Sequence, residues 1–315
     1  MIKKFFRDNS IHKKIVPFLD EFFFLNPMNY FFSWLMICVG IYLNLFLSNL
    51  SPQFLISFNK NYFLLFIGLS SILTSFYIQN EISSNNKNDE TFNFILEKYS
   101  ISKIILFVKI LAISGILILF FVSWLNVFIG LVLLLLNFLY NKYFKNKLIY
   151  YFFESLILFY SGWICTQIGY TARAISLFDI LYILPYFLLC YCIYKSKEKL
   201  DKFEDEKYNL KRYDFSMLIC LLLLILCLFM GVVNNDPLIS IIIITSIGFY
   251  FYSFIRSEQK DLVRSFIYPL AIFNFFLMTI FPYLFIFHFI LFYISKYYNW
   301  HRFDIHYPTF LVDND

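Results

Sequence analysis

Charge is scarce in this chain. Only 15% of its 315 residues are Asp, Glu, Lys or Arg, against roughly a quarter in a soluble domain. A soluble fold of this length would still need a polar surface around its core, and too little polar side chain is present to make one. Regular alternation of apolar and polar residues is also lacking. Stretches such as Leu131–Leu136 and Leu221–Leu226 are continuously apolar, which excludes the pattern of a membrane β-barrel. No long basic face exists, so the net charge of +5 does not point to nucleic acid. The four histidines (His12, His288, His301, His306) have no carboxylate or cysteine beside them at metal-site spacing. The first residues lack the features of a cleavable signal peptide, because Asp20 and Glu21 interrupt the apolar part and no small-residue cleavage site follows. No internal repeat is visible.

What is abundant is apolar sequence, 60% of the chain, arranged in blocks near the ~20 residues that cross a bilayer as a helix. Nine spans are read, near 28–50, 61–79, 103–122, 124–141, 148–170, 175–195, 214–233, 237–255 and 267–294. Residues 103–141 are about twice one crossing in length, so Ser123, Trp124 and Asn126 mark a tight hairpin. The last span contains Pro269 and Pro282 and is expected to be one kinked or broken crossing. The expectation is an all-α polytopic membrane protein of nine transmembrane helices. It divides into a cytoplasmic arm (1–27), which can form an interfacial helix, a nine-helix domain (28–294) and an extracytoplasmic tail (295–315).

Basic residues agree with that count. Five lie in the arm, three around 80–103, three at 142–147, seven at 195–212 and three at 256–264, so 21 share one side. Lys60, Arg173, Lys296 and Arg302 are the four on the other, and Lys109 falls within a span. The asymmetry places the N-terminus in the cytoplasm and the C-terminus outside, with a bacterial inner membrane as the expected location. All six cysteines fall in spans. Cys190 and Cys192 would face apart on a helix and read as small core residues, not as a redox pair. The 44 phenylalanines read as a codon bias. Glu154 and Lys109 are the charges inside spans. Both are expected to be buried in the bundle, although Lys109 could instead snorkel.

Two inner connections are long and polar and hold most of the acidic residues of the body. Glu81, Asp89, Glu90 and Glu97 are in 80–102; Glu198, Asp201, Glu204, Asp205 and Glu206 are in 196–213. A solvated surface of alternating charge is the bland account of either loop. Two such clusters on one face of a nine-span bundle favour a site.

With these features the chain resembles the UbiA superfamily of intramembrane prenyltransferases, over residues from about Asn26 to Tyr293. That family has nine membrane helices and aspartate-rich motifs after the second and sixth. Asp201, Glu204 and Asp205, followed by Asn209 in the place of a glycine, resemble the second motif, and Lys211 falls on a frequently basic position. The stretch Leu139–Lys147 is similar to the family's tyrosine-and-lysine link. Asn80 and Glu81 stand in the frame of the first motif, but Ser84 and Asn88 occupy two places where carboxylates are expected.

The resemblance implies that Asp201, Asp205, Glu81 and Asn80 bind Mg2+. Asp201 and Asp205 would be the catalytic pair, and Lys145, Lys147, Lys207, Lys211 and Arg212 would bind the diphosphate of a prenyl donor lying in membrane lipid. The implied reaction is ionisation of the allylic diphosphate, with capture of the cation by an acceptor that the sequence does not specify. Ser84 and Asn88 keep a second class open: a non-catalytic isoprenoid-binding, lipid-binding or scaffold protein of the same fold. A transporter or channel is a third class, disfavoured by the few charges within spans.

Overall fold

The computed structural model describes residues 10–25, 27, 30–49, 55–56, 59–84, 99–142, 147–166, 175–204, 214–256 and 258–303. Among these there are eleven α-helices and no strand. They are α1 (Ser10–Phe24), α2 (Tyr30–Asn49), α3 (Lys60–Ser84), α4 (Ile101–Phe120), α5 (Trp124–Lys142), α6 (Lys147–Cys165), α7 (Asp179–Glu204), α8 (Phe215–Val233), α9 (Pro237–Arg256), α10 (Gln259–Ile280) and α11 (Pro282–Phe303). Six of them, α2, α3, α4, α8, α9 and α10, are long and apolar enough to cross a membrane. The apolar parts of α5 and α6 are shorter, Trp124–Tyr140 and Ile149–Cys165. The chain is thus an α-helical integral membrane protein by length and composition.

Helix ends follow local chemistry. The hairpin between α4 and α5 turns at Phe121–Ser123, where the Ser123 hydroxyl receives the Asn126 N–H at 3.2 Å. Asp214 caps α8 by accepting from Ser216 N at 3.0 Å. Asn235 takes a left-handed φ of 52° in the turn before α9, a conformation asparagine tolerates. Asp236 then caps Leu238 N at 3.1 Å and Pro237 occupies the first helical position, where its missing N–H costs nothing.

Close approach of two backbones holds the first half together. A Cβ on Gly40 of α2 would lie 2.0 Å from the Phe159 carbonyl, and one on Gly162 of α6 would lie 2.1 Å from the Ile37 carbonyl. Small residues at such crossings let membrane helices pack by dispersion, because lipid supplies no hydrophobic drive between them. Elsewhere apolar residues face outward, as along α4, where Leu106, Ile110 and Ile113 are exposed.

The structure revises the last part of the sequence reading. Instead of one kinked span over 267–294 there are two helices of 22 residues each. Phe281 leaves helical geometry (φ −118°, ψ 75°), and Pro282, which has no N–H to continue α10, starts α11. Upstream, α10 begins at Gln259, because the polar residues before Phe266 remain helical behind the Glu258 cap position. The helix α11 then runs back along α2. His288 packs on Phe31 (4.4 Å between centroids), Phe287 on Trp34 (4.7 Å), and Tyr298 donates to Asp20 of α1 at 2.7 Å. Residues 295–303 therefore belong to a packed helix rather than to a tail, and the far end of α11 meets the arm. The start of α11 lies at the opposite end of the bundle, near the Ile56 N–H, which donates to Ile280 O at 2.7 Å. Lys109 is also revised: it is exposed on the outer face of α4 and not buried. It lies six residues beyond Lys103, in position for its long stem to carry the ammonium toward the helix end.

Candidate functional site

Glu154 is the centre of the most polar buried region. It lies on α6 and is only 3% exposed. Ser33 of α2 donates to its Oε1 at 3.5 Å, and Tyr77 of α3 donates to the same oxygen at 3.3 Å. Oε2 is buried and has no hydrogen-bond partner among the described residues. A buried carboxylate with one oxygen unmatched is costly unless something else meets it.

Aromatic rings wall this carboxylate. Tyr151 stacks on Tyr194 of α7, centroids 4.5 Å apart and planes within 6°, and Phe32 tilts against the same Tyr194 at 4.3 Å. Tyr150 donates to Asn137 of α5 at 2.9 Å and packs on Tyr140 at 4.4 Å. Lys197 of α7 hangs its ammonium over two rings, 6.0 Å from Tyr151 and 5.9 Å from Phe266 of α10. One further contact joins α7 to α10, between the hydroxyls of Ser196 and Ser265 at 3.3 Å.

These contacts bring the three sequence-marked segments to one place. Tyr77 is four residues before Glu81 on α3, and Asn80 and Glu81 are both half-buried there. Tyr140 precedes the link to α6, and Tyr150 follows it. Lys197 is four residues before Asp201, which lies in the last turn of α7. The side chains of Asp201 and Lys147 lie outside the described residues, as do Asp205, Lys145, Lys207, Lys211 and Arg212 altogether. Around them, Lys199 is ion-paired with Asp214, which ties the end of α7 to the start of α8, and Lys195 pairs with Glu198 at 2.7 Å. The nearby α9–α10 turn is similarly knit: Arg256 and Arg264 flank Asp261 at 3.4 and 3.2 Å. In the same turn Lys260 and Arg256 hold the Glu258 carboxyl below the usual glutamate range.

Among the described residues no group of three or more His, Cys, Asp or Glu could hold a metal. The donors that are described, the carboxylates of Glu81 and Glu154 and the amide of Asn80, are the hard oxygen ligands that suit Mg2+, and the bare Oε2 of Glu154 is the kind of acceptor a bound group would satisfy.

A second buried carboxylate escaped the sequence reading. Asp236 is 2% exposed and receives Tyr42 OH at 3.1 Å and Tyr186 OH at 2.8 Å, in addition to capping α9. Both of its oxygens are engaged, binding α2, α7 and the α8–α9 turn together, which gives it a structural role. The Asp-Pro pair was a legible cap signal; the two tyrosines, far off in sequence, were not. The six cysteines are buried and unpaired.

No family model matches the chain, and neither a curated protein nor a solved structure does.

Proposed function

We propose that the chain is a ten-crossing membrane prenyltransferase whose site opens at the end of the bundle that carries the basic loops. The ten crossings are α2 to α11, one more than the nine read from sequence, with both described ends cytoplasmic. The tenth is an addition to the nine helices of the resembled superfamily. It improves the charge balance: Lys296 and Arg302 join the 21 basic residues on the inner side, leaving Lys60 and Arg173 outside.

The observation that carries the functional reading is the convergence of α2 and α3 on Glu154, with Tyr140 of α5 and Tyr194 of α7 packed on the tyrosines beside it. A diphosphate needs cationic partners, an isoprenoid needs an apolar slot, and an allylic cation needs electron-rich walls. Lys145, Lys147, Lys207, Lys211 and Arg212 are the residues to meet the diphosphate. Mg2+ held by Asp201, Asp205, Asn80 and Glu81 would supply neutralisation of the leaving diphosphate's charge. The rings of Tyr77, Tyr150, Tyr151 and Tyr194 offer π faces to a developing cation. Glu154, with an oxygen to spare, would orient the acceptor by taking a hydrogen bond from its O–H or N–H and then its proton.

Purified protein incubated with labelled prenyl diphosphates of several lengths, a lipid extract and Mg2+ tests this reading. Labelled lipid product should form, and Glu154→Gln should slow turnover while leaving donor binding intact. The second reading, a protein that binds isoprenoid without turnover, is favoured by Ser84 and Asn88 in the weakened first motif. Donor binding with no product from any acceptor would decide for it.

A further inference from the structure

A cleft of about 520 Å³ lies between α1 and the start of α4, apart from the Glu154 site. Its size is that of a small-molecule pocket. Its walls are Phe18, Phe22, Phe24 and Leu25 from the arm and Ile104 and Phe107 from α4, so its interior is mostly apolar. Glu21 and Tyr99 also line it, the Glu21 carboxyl accepting from Tyr99 OH. Two facts say what it takes. Lys103 lies at this cleft, exposed, on the third residue of α4, and has no ion-pair partner among the described residues. Next to it on the same helix Leu106 and Ile110 face outward, 59% and 54% exposed, so the cleft adjoins the lipid-facing side of the bundle. Tyr99 OH donates to Glu21 at 2.9 Å and fixes the arm over the cleft.

We propose that this cleft is a phospholipid site: one acyl chain lies between Phe22, Ile104 and Phe107, and the phosphodiester sits at the Lys103 ammonium. The cation stands where headgroups are, at the end of a membrane helix, and the apolar slot continues one turn deeper. An ammonium attracts a phosphodiester at this level of the membrane, and a neutral diglyceride offers it no charge. Bound lipid would add to the hold that the Tyr99–Glu21 bond has on α1.

Tryptophan quenching in vesicles tests it. Phe107→Trp puts a reporter in the cleft and Leu106→Trp puts one on the lipid-facing surface; each is read against the unsubstituted protein to subtract Trp34, Trp124, Trp163 and Trp300. Dibrominated phosphatidylglycerol and dibrominated diacylglycerol are compared at equal mole fraction. At position 107 the phospholipid should quench roughly fivefold more effectively than the diglyceride, the ratio one interfacial lysine contributes. Lys103→Gln should abolish that ratio, and position 106 should show none. Equal quenching by both lipids at 107, or a ratio unchanged by Lys103→Gln, would overturn the proposal. So would quenching at 107 weaker than at 106, the result if the chain's own N-terminal residues fill the cleft.

Discussion

At the scale of single residues, two buried acids behave differently. Glu154 was legible in the sequence as a buried charge, because it is a lone carboxylate in an apolar span, but not as a site residue. Its setting was not legible: Ser33 and Tyr77 are 121 and 77 residues away, and only packing brings their hydroxyls to it. Glu154→Ala strands both hydroxyls and should cost about 1–3 kcal/mol, read as a lower unfolding midpoint in detergent. Glu154→Gln keeps an acceptor for them and should cost less than the alanine change. Asp236 has both oxygens engaged. Its loss removes two buried hydroxyl partners and a helix cap together, so Asp236→Ala should destabilise by at least ~2 kcal/mol. Tyr42→Phe should cost only about 1 kcal/mol, because Tyr186 and Leu238 N still satisfy the carboxylate. Equal thermal shifts for Asp236→Ala and Tyr42→Phe would show that the acid does not bind three elements at once.

At the scale of elements, apolar block length located most helices, and the hairpin at Phe121–Ser123 follows from two apolar runs too long for one crossing. The separation into two helices at Phe281–Pro282 was read only as a kink or break, because the run is apolar on both sides of it. The helix start near 260 was missed because a hydropathy pattern registers lipid-compatible residues, while a helix continues through polar ones as long as its hydrogen bonds do. Thus α10 extends back to Gln259, α3 on to Ser84 and α7 on to Glu204. That extension places Glu81 and Asp201 on helix and not on loop. The sequence also gave no sign of which glycines carry a crossing. Gly40→Ala would drive a methyl into the Phe159 carbonyl and should force α2 from α6, at about 3 kcal/mol or more. Gly248 has open space around it, and Gly248→Ala should stabilise α9 by about 0.5–1 kcal/mol. Thermal unfolding of the two variants side by side should show shifts of opposite sign.

At the scale of the whole molecule, the proposed ten-crossing topology makes a prediction about the sidedness of the C-terminal region. A cysteine replacing exposed Lys296 should react with a membrane-impermeant maleimide only after permeabilisation, while one replacing exposed Lys60 should react without it. Labelling of both from outside would restore the nine-span topology. The same fold brings Tyr77 of α3 onto Glu154 and Tyr194 of α7 onto Tyr151 of the same helix, and the central proposal is that the acid-rich ends of α3 and α7 make one Mg2+-dependent diphosphate site. Its acidic residues were legible as two clusters on one face. The approach of α3 and α7 to α6 was not, because it rests on Tyr77, which reaches Glu154, and Tyr194, which stacks on Tyr151. The most direct measurement is isothermal titration of a non-hydrolysable prenyl diphosphate analogue into the purified protein, with and without Mg2+. Binding should require the metal. Asp205→Ala should weaken it by orders of magnitude and Glu81→Ala by less, because its frame already lacks the carboxylates at Ser84 and Asn88; aspartate restored at those two positions should tighten it. Analogue affinity that is the same without Mg2+ and unmoved by Asp205→Ala would contradict the claim.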